Sequence, residues 1–121
     1  MGEVERILQV LGSLEIGGAE VMIMNLYRHT DHARVQFDFI IHTPQPCFFE
    51  TEIAKLGGRV YRLPRFTGFN ILHYARAWKQ FFREHPEYHV IHGHVASSSA
   101  IYLGIAKRFH VYTIAHSHSV K

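Results

Sequence analysis

A chain of 121 residues, 47% hydrophobic and 19% charged, has room for one globular domain whose core needs neither a disulfide nor a metal staple. Its single cysteine, Cys47, has no intrachain partner, which favours a reducing compartment, and the sequence contains neither a secretory leader nor an apolar run of the roughly 18 residues that span a bilayer. A net charge of +3 and a pI near 9.2, without the dense basic stripe and docking motif of a nucleic-acid binder, leave a mild bias towards anionic ligands or an anionic membrane surface.

Two hydrophobic periods alternate along the chain. Arg6–Leu11 (RILQVL) is a short apolar run fit for a buried strand. Ala19–Arg28 follows at helical spacing, with Ala19, Met22, Ile23 and Leu26 as its inner stripe and Val21 and Met24 widening it. Val35–His42 is rich in β-branched and aromatic residues and reads as the second strand. Thr43–Pro46 is a turn, Phe48–Leu56 a short helix, and Gly57-Gly58 its glycine stop. Arg59–Leu63 is the third strand. Pro64–Asn70 is a loop ending on Asn70 as a helix cap. Ile71–Glu84 carries Ile71, Leu72, Ala75, Trp78 and Phe82 on one face and closes before Pro86. Tyr88–His92 is a strand, Ser97–Arg108 a helix opened by a serine run, and Val111–Ala115 the fifth strand. This alternation predicts a single α/β domain over residues 1–121 with a doubly wound parallel sheet. An ending directly after a strand suggests a piece of something longer.

In such a sheet, ligands sit outside the carboxyl ends of the strands, where strand order reverses. Three segments should meet there: Gly12–Gly18, Gly93–Ser97 and His116–Ser119. The first imitates two phosphate motifs and satisfies neither. Gly12 and Gly17 have P-loop spacing, but Gly18-Ala19 stands where Lys and Ser/Thr are required. The GxGxxG pattern is absent, and His42-Thr43 occupies the place of a ribose-binding acid. What remains is Gly17-Gly18 at a helix N-terminus, where amides without a neighbouring Cβ can meet a phosphate or a sugar hydroxyl. A tight turn that needs glycine would leave the same trace. Glu20 lies in the first helical turn, where an acid also simply suits the helix dipole.

The eleven histidines include two spaced pairs, His92/His94 and His116/His118. Four such histidines could hold Zn²⁺, but no carboxylate or cysteine lies beside them, and the reading adopted is no metal site. His116 or His118 could serve a substrate directly by donating to a hydroxyl or phosphate. Ser97, Ser98 and Ser99 suit an N-cap region whose free N–H groups can also meet an anion. Arg65 reads as a solvated charge, and Cys47 beside Pro46 has nothing to activate it.

Taken together, RILQVLGSLEIGGAE, EIAKLGGRVYRLP, YHVIHGH and YTIAHSHS resemble the N-terminal half of a GT-B glycosyltransferase, in the retaining family 4 and its bacterial capsular or exopolysaccharide branch. The resemblance implies a Rossmann-like, acceptor-side domain and a separate C-terminal donor-binding domain. It implies that Gly17 and Gly18 approach the donor phosphate and acceptor, and that His116 points at the donor sugar as the catalytic histidine. Glu20, His94, Ser97 and His118 would be substrate-binding neighbours. The co-substrate would be a nucleotide-sugar with no cofactor. The acceptor would be a glycan or lipid-linked molecule, and the setting cytoplasmic, at the inner face of the membrane, with no nucleic acid involved. The acidic motif of the family's C-terminal half is not in this sequence, so by that analogy the chain alone should not turn over. The alternative is a non-catalytic ligand-binding or assembly module on the same fold.

Overall fold

The computed structural model describes residues 4–12, 18–95 and 98–115. Five strands, β1 (Glu5–Val10), β2 (Val35–Ile41), β3 (Val60–Arg62), β4 (Val90–Gly93) and β5 (Tyr112–Ala115), alternate with four helices, α1 (Gly18–Arg28), α2 (Glu50–Leu56), α3 (Ile71–Glu84) and α4 (Ser99–Arg108). All strand pairs are parallel and the order is β3-β2-β1-β4-β5. The expected α/β doubly wound sheet is therefore present. Strand order reverses between β1 and β4, which pair through Gln9–His92 and Val10–Gly93, and that seam is the switch point of the fold.

Pleating divides the core in two. Phe37, Phe39 and Ile41 pack with Ile23, Met24 and Tyr27 of α1 and Ile53 of α2. Leu8, Val10, Ile40 and Ile91 pack on the other face with Tyr74, Trp78 and Phe82 of α3 and Tyr102 of α4. Trp78 is fully buried and stacks on Tyr102, ring centroids 5.1 Å apart. Gly57 takes a left-handed φ of 96°, and the N–H groups of Gly57 and Gly58 return to the Ala54 and Ile53 carbonyls, so the expected glycine stop ends α2.

Both amphipathic helices sit rotated from their expected faces. In α1 the buried residues are Ile23, Met24 and Tyr27, while Met22 and Leu26 are exposed. The cause is Tyr27, whose ring stacks on Phe37 and whose hydroxyl meets Gln36 Oε1 at 2.6 Å. In α3 the buried set is Tyr74, Trp78, Phe81 and Phe82, and Ile71 and Leu72 face solvent. Large aromatic rings bury more area than the aliphatic residues they displace. Asn70 stands at the N-cap position of α3 without a side-chain cap. Its Oδ1 instead accepts from the Thr67 N–H at 2.9 Å, and its Nδ2 donates to the Arg65 carbonyl at 2.8 Å, so it ties the loop together. Helix α4 starts two residues later than Ser97, behind Ser98.

One buried acid holds the sheet laterally. Asp38 of β2 has no exposed surface, and accepts from Arg6 Nη1 of β1 at 3.1 Å, from the Arg59 N–H at 2.9 Å and from the Tyr88 hydroxyl. Tyr61 Oη lies 2.9 Å from Tyr88 Oη. Because Tyr88 spends its proton on Asp38, Tyr61 donates in turn. Burial, then the Asp38 carboxylate, push the Tyr88 phenol well above its ordinary value.

Candidate substrate-binding cleft

Outside the carboxyl ends of β1, β2 and β4 lies a cavity of about 450 Å³, lined by Gly12, Glu20, His42, Thr43, Arg65, Phe66, Val95 and Ser98. A volume of that size suits a small ligand. The walls come from the ends of β1, β2 and β4, the first turns of α1 and α4, and the loop after β3. A second hollow of about 420 Å³ shares His42, Thr43 and Arg65 and adds Pro44, Arg62, Leu63 and Pro64.

Of the residues singled out in the sequence, Glu20 stands in the wall and Gly18 opens α1 beside it, exposed. A Cβ placed on Gly18 would meet nothing within 4 Å, and the residue is helical, so packing among the described residues does not require glycine there. His94 sits at the β1–β4 seam. Its N–H donates to the Val10 carbonyl at 2.9 Å, and its Nε2 donates to Gln9 Oε1 at 2.8 Å. The imidazole thus lies on Gln9, while the next residue, Val95, reaches the cavity. The His92 and His94 rings are 4.1 Å apart. Gly17, Ser97, His116 and His118 lie outside the described residues. The last described residue before His116 is Ala115, in register with Gly93.

His42, read above only as the residue filling the place of a ribose-binding acid, organises the cleft floor. Its Nδ1 is 3.0 Å from the Leu11 carbonyl, its Nε2 is 2.9 Å from Tyr74 Oη, and Tyr74 Oη is 2.8 Å from Ser98 Oγ. A carbonyl only accepts, so Nδ1 carries the proton. Neutral Nε2 then accepts from Tyr74, and Tyr74 accepts from Ser98. The chain links the end of β1 to α3 and to the start of α4. Burial pushes His42 below its ordinary value, opposed by its bond to the Leu11 carbonyl, and burial raises the Tyr74 phenol.

This predicts a pH effect of known sign. With the folded value below the unfolded value of about 6.5, the unfolded chain takes up the proton first. His42 therefore contributes its full stability above about pH 6.5 and loses it as pH falls through the folded value. Urea unfolding at about pH 7.5 and about pH 5 is expected to show a larger loss for the natural chain than for His42→Gln, which stays neutral. Equal losses would mean that His42 is not held neutral.

Arg65, read from the sequence as a solvated charge, is exposed and also lines both hollows. With Glu20 opposite in charge, the cavity offers one cation, one carboxylate and the buried hydroxyl of Ser98. Such a set suits a phosphate together with sugar hydroxyls.

Comparison with known proteins bears on the same residues. Residues 16–121 match Glycosyltransferase Family 4. Over 90 residues the chain is 39% identical to EpsF of Bacillus subtilis (strain 168), a protein named as a glycosyltransferase; the match covers 74% of this chain and 23% of EpsF. The crystal structure of Acinetobacter baumannii MurG superposes with a TM-score of 0.66 at 10% identity, covering 93% of this chain and 35% of that one. At that identity the likeness shows the fold, the GT-B type, and nothing more. The chain spans under a quarter of EpsF and about a third of MurG.

Proposed function

Since the chain belongs to glycosyltransferase family 4, we propose that it is the acceptor-side, N-terminal half of a retaining enzyme that moves a sugar from a nucleotide-sugar to a glycan or lipid-linked acceptor in polysaccharide biosynthesis. The observation that supports this reading is the cavity at the β1–β4 switch point, walled by Gly12, Glu20 and Ser98, with the open first turn of α1 beside it.

In this reading the amides of Gly17 and Gly18 meet a phosphate or a hydroxyl at the positive end of α1. Glu20 accepts hydroxyl protons, and Ser97 extends the donor set. His116 donates to the sugar with His118 beside it. The contribution of these groups is orientation and stabilisation of charge on the departing phosphate. A second domain holds most of the donor, so this chain alone binds weakly and does not turn over. The nucleotide-sugar is a co-substrate, and no metal or cofactor is invoked.

Calorimetric titration with a panel of nucleotide-sugars tests the reading. Weak binding is expected, and Gly18→Ala is expected to reduce it roughly tenfold, since a methyl group keeps the ligand from an amide whose bond to a charged group is worth about 1.5–3 kcal/mol. The same substitution should leave stability unchanged or raise it by up to about 1 kcal/mol, because alanine favours a helix over glycine. Unaltered affinity in Gly18→Ala would remove the glycine amide from the site. Tight, complete binding of a free nucleoside by this chain would contradict the division of labour.

A further inference from the structure

The hydrogen-bond relay under the cleft has a direction, and its last member borders the cavity. Ser98 stands at the N-cap position of α4, where a serine side chain ordinarily accepts from a backbone N–H of the first turn, yet it makes no such bond. Among the described residues the hydrogen-bond partner of Ser98 Oγ is Tyr74 Oη, 2.8 Å away. Only 2% of Ser98 is exposed, and the residue lines the cavity of about 450 Å³. A hydroxyl carries one proton and two lone pairs. What Ser98 can give a ligand therefore depends on where its proton goes.

That choice is made at the far end of the relay, by His42. The Leu11 carbonyl, 3.0 Å from Nδ1, holds the ring proton there, so Nε2 presents a lone pair and must be met by a donor. Tyr74 Oη, 2.9 Å from Nε2, is that donor. Having given its proton to His42, it can only accept from Ser98. Reversing the relay would set two lone pairs against each other at Nε2 and leave a buried acceptor unpaired. Tyr74 has no exposed surface, so water does not stand in for either partner.

Resting on the reading of this hollow as the substrate cleft, we propose that Ser98 is a specificity-determining residue: with its proton committed to Tyr74, it meets the substrate only as an acceptor, and so selects a sugar hydroxyl and turns away a phosphate oxygen at that point of the wall. His42 and Tyr74 are positioning residues that act through Ser98 by fixing the direction of the relay. The Glu20 carboxylate, in the same wall, also accepts and does not donate when ionised. The start of α4 and the first turn of α1 thus each supply a side chain that reads hydroxyl protons. A phosphate is left to groups that donate, Arg65 among them.

Two measurements test this. The first needs no ligand: at about pH 7.5, ring-nitrogen chemical shifts of the chain labelled in its histidines are expected to show His42 as the Nδ1–H tautomer. The Nε2–H tautomer would reverse the relay and overturn the proposal. The second is a titration with a panel of nucleotide-sugars and their monodeoxyfluoro analogues, in which one sugar hydroxyl at a time becomes a fluorine that cannot donate. At one ring position the fluorine is expected to weaken binding to the natural chain roughly tenfold, as an unmade hydrogen bond should. In Tyr74→Phe, Ser98 recovers its proton, so that ratio should shrink to about threefold or less. A purely structural role for Tyr74 would weaken parent and analogue alike and leave the ratio unchanged. Ser98→Ala should also bring the ratio down, and where a variant does not fold, the tautomer of the natural chain decides. Fluorine tolerated at every position, or a ratio that survives both substitutions, would overturn the proposal and leave the reading of the cleft standing. A chain that binds no member of the panel would defeat that reading, and the proposal with it.

Discussion

Asp38→Ala is expected to destabilise the chain by about 3 kcal/mol, the lower end of the cost of breaking a buried ion pair. The carboxylate is fully buried and serves three donors from three parts of the fold: Arg6 in β1, the Arg59 N–H before β3, and Tyr88 before β4. Its removal takes the acceptor from the Arg59 amide, leaves the Tyr88 hydroxyl only Tyr61 Oη to turn to, and leaves a cation beside them. The figure stays low because the Arg6 side chain keeps 21% of its surface in solvent and can rehydrate. Asp38→Asn keeps an acceptor of the same shape and should cost distinctly less. Urea denaturation of both variants checks the ranking. An alanine variant as stable as the natural chain would show that the acid is not what joins these strands.

Gly93→Ala is expected to cost about 1–3 kcal/mol by overpacking and to disturb the cleft as well. A Cβ at Gly93 would strike the Tyr102 hydroxyl first, with Tyr102 Cε1 at 2.7 Å and Cζ at 3.0 Å. Tyr102 cannot easily withdraw. It is fully buried, stacked on Trp78, and its hydroxyl donates to the Val95 carbonyl at 2.9 Å. Val95 is part of the cavity wall, so the strain reaches the loop after β4. Adding Tyr102→Phe removes the nearest obstruction and leaves Cε1, so the double variant should recover part of the loss. Thermal unfolding of the single and double variants reads this directly. No loss in Gly93→Ala would mean that the seam can open to admit a methyl group.

The order of elements was legible because each period is carried by several residues. The run VQFDFII reads as a strand from its β-branched and aromatic residues and is one, and Gly57 ends α2 as its position announces. Which helix face turns inward was not legible. Helix α1 has apolar residues on most sides, so one stripe could hold Met22 and Leu26 and another Ile23 and Tyr27; the choice was made by Phe37 and Gln36 on the next strand. Asp38 passed unremarked inside an apolar strand, although a buried carboxylate needs a partner there. The cleft was half legible. Its location follows from the switch point, and Glu20 lies in its wall. His42 and Ser98 owe their roles to Tyr74, a residue of another element, and no local pattern announces that meeting.

If the hollow at the β1–β4 seam receives the phosphorylated sugar, titration with a nucleotide-sugar will move the amide chemical shifts of its walls in the isotopically labelled chain. Shifts are expected to concentrate at Leu11–Gly12, Gly18–Glu20, His42–Thr43 and Val95–Ser99, with α2 and the far end of α3 unmoved. Saturable shifts confined to those remote elements, with the seam silent, would contradict it.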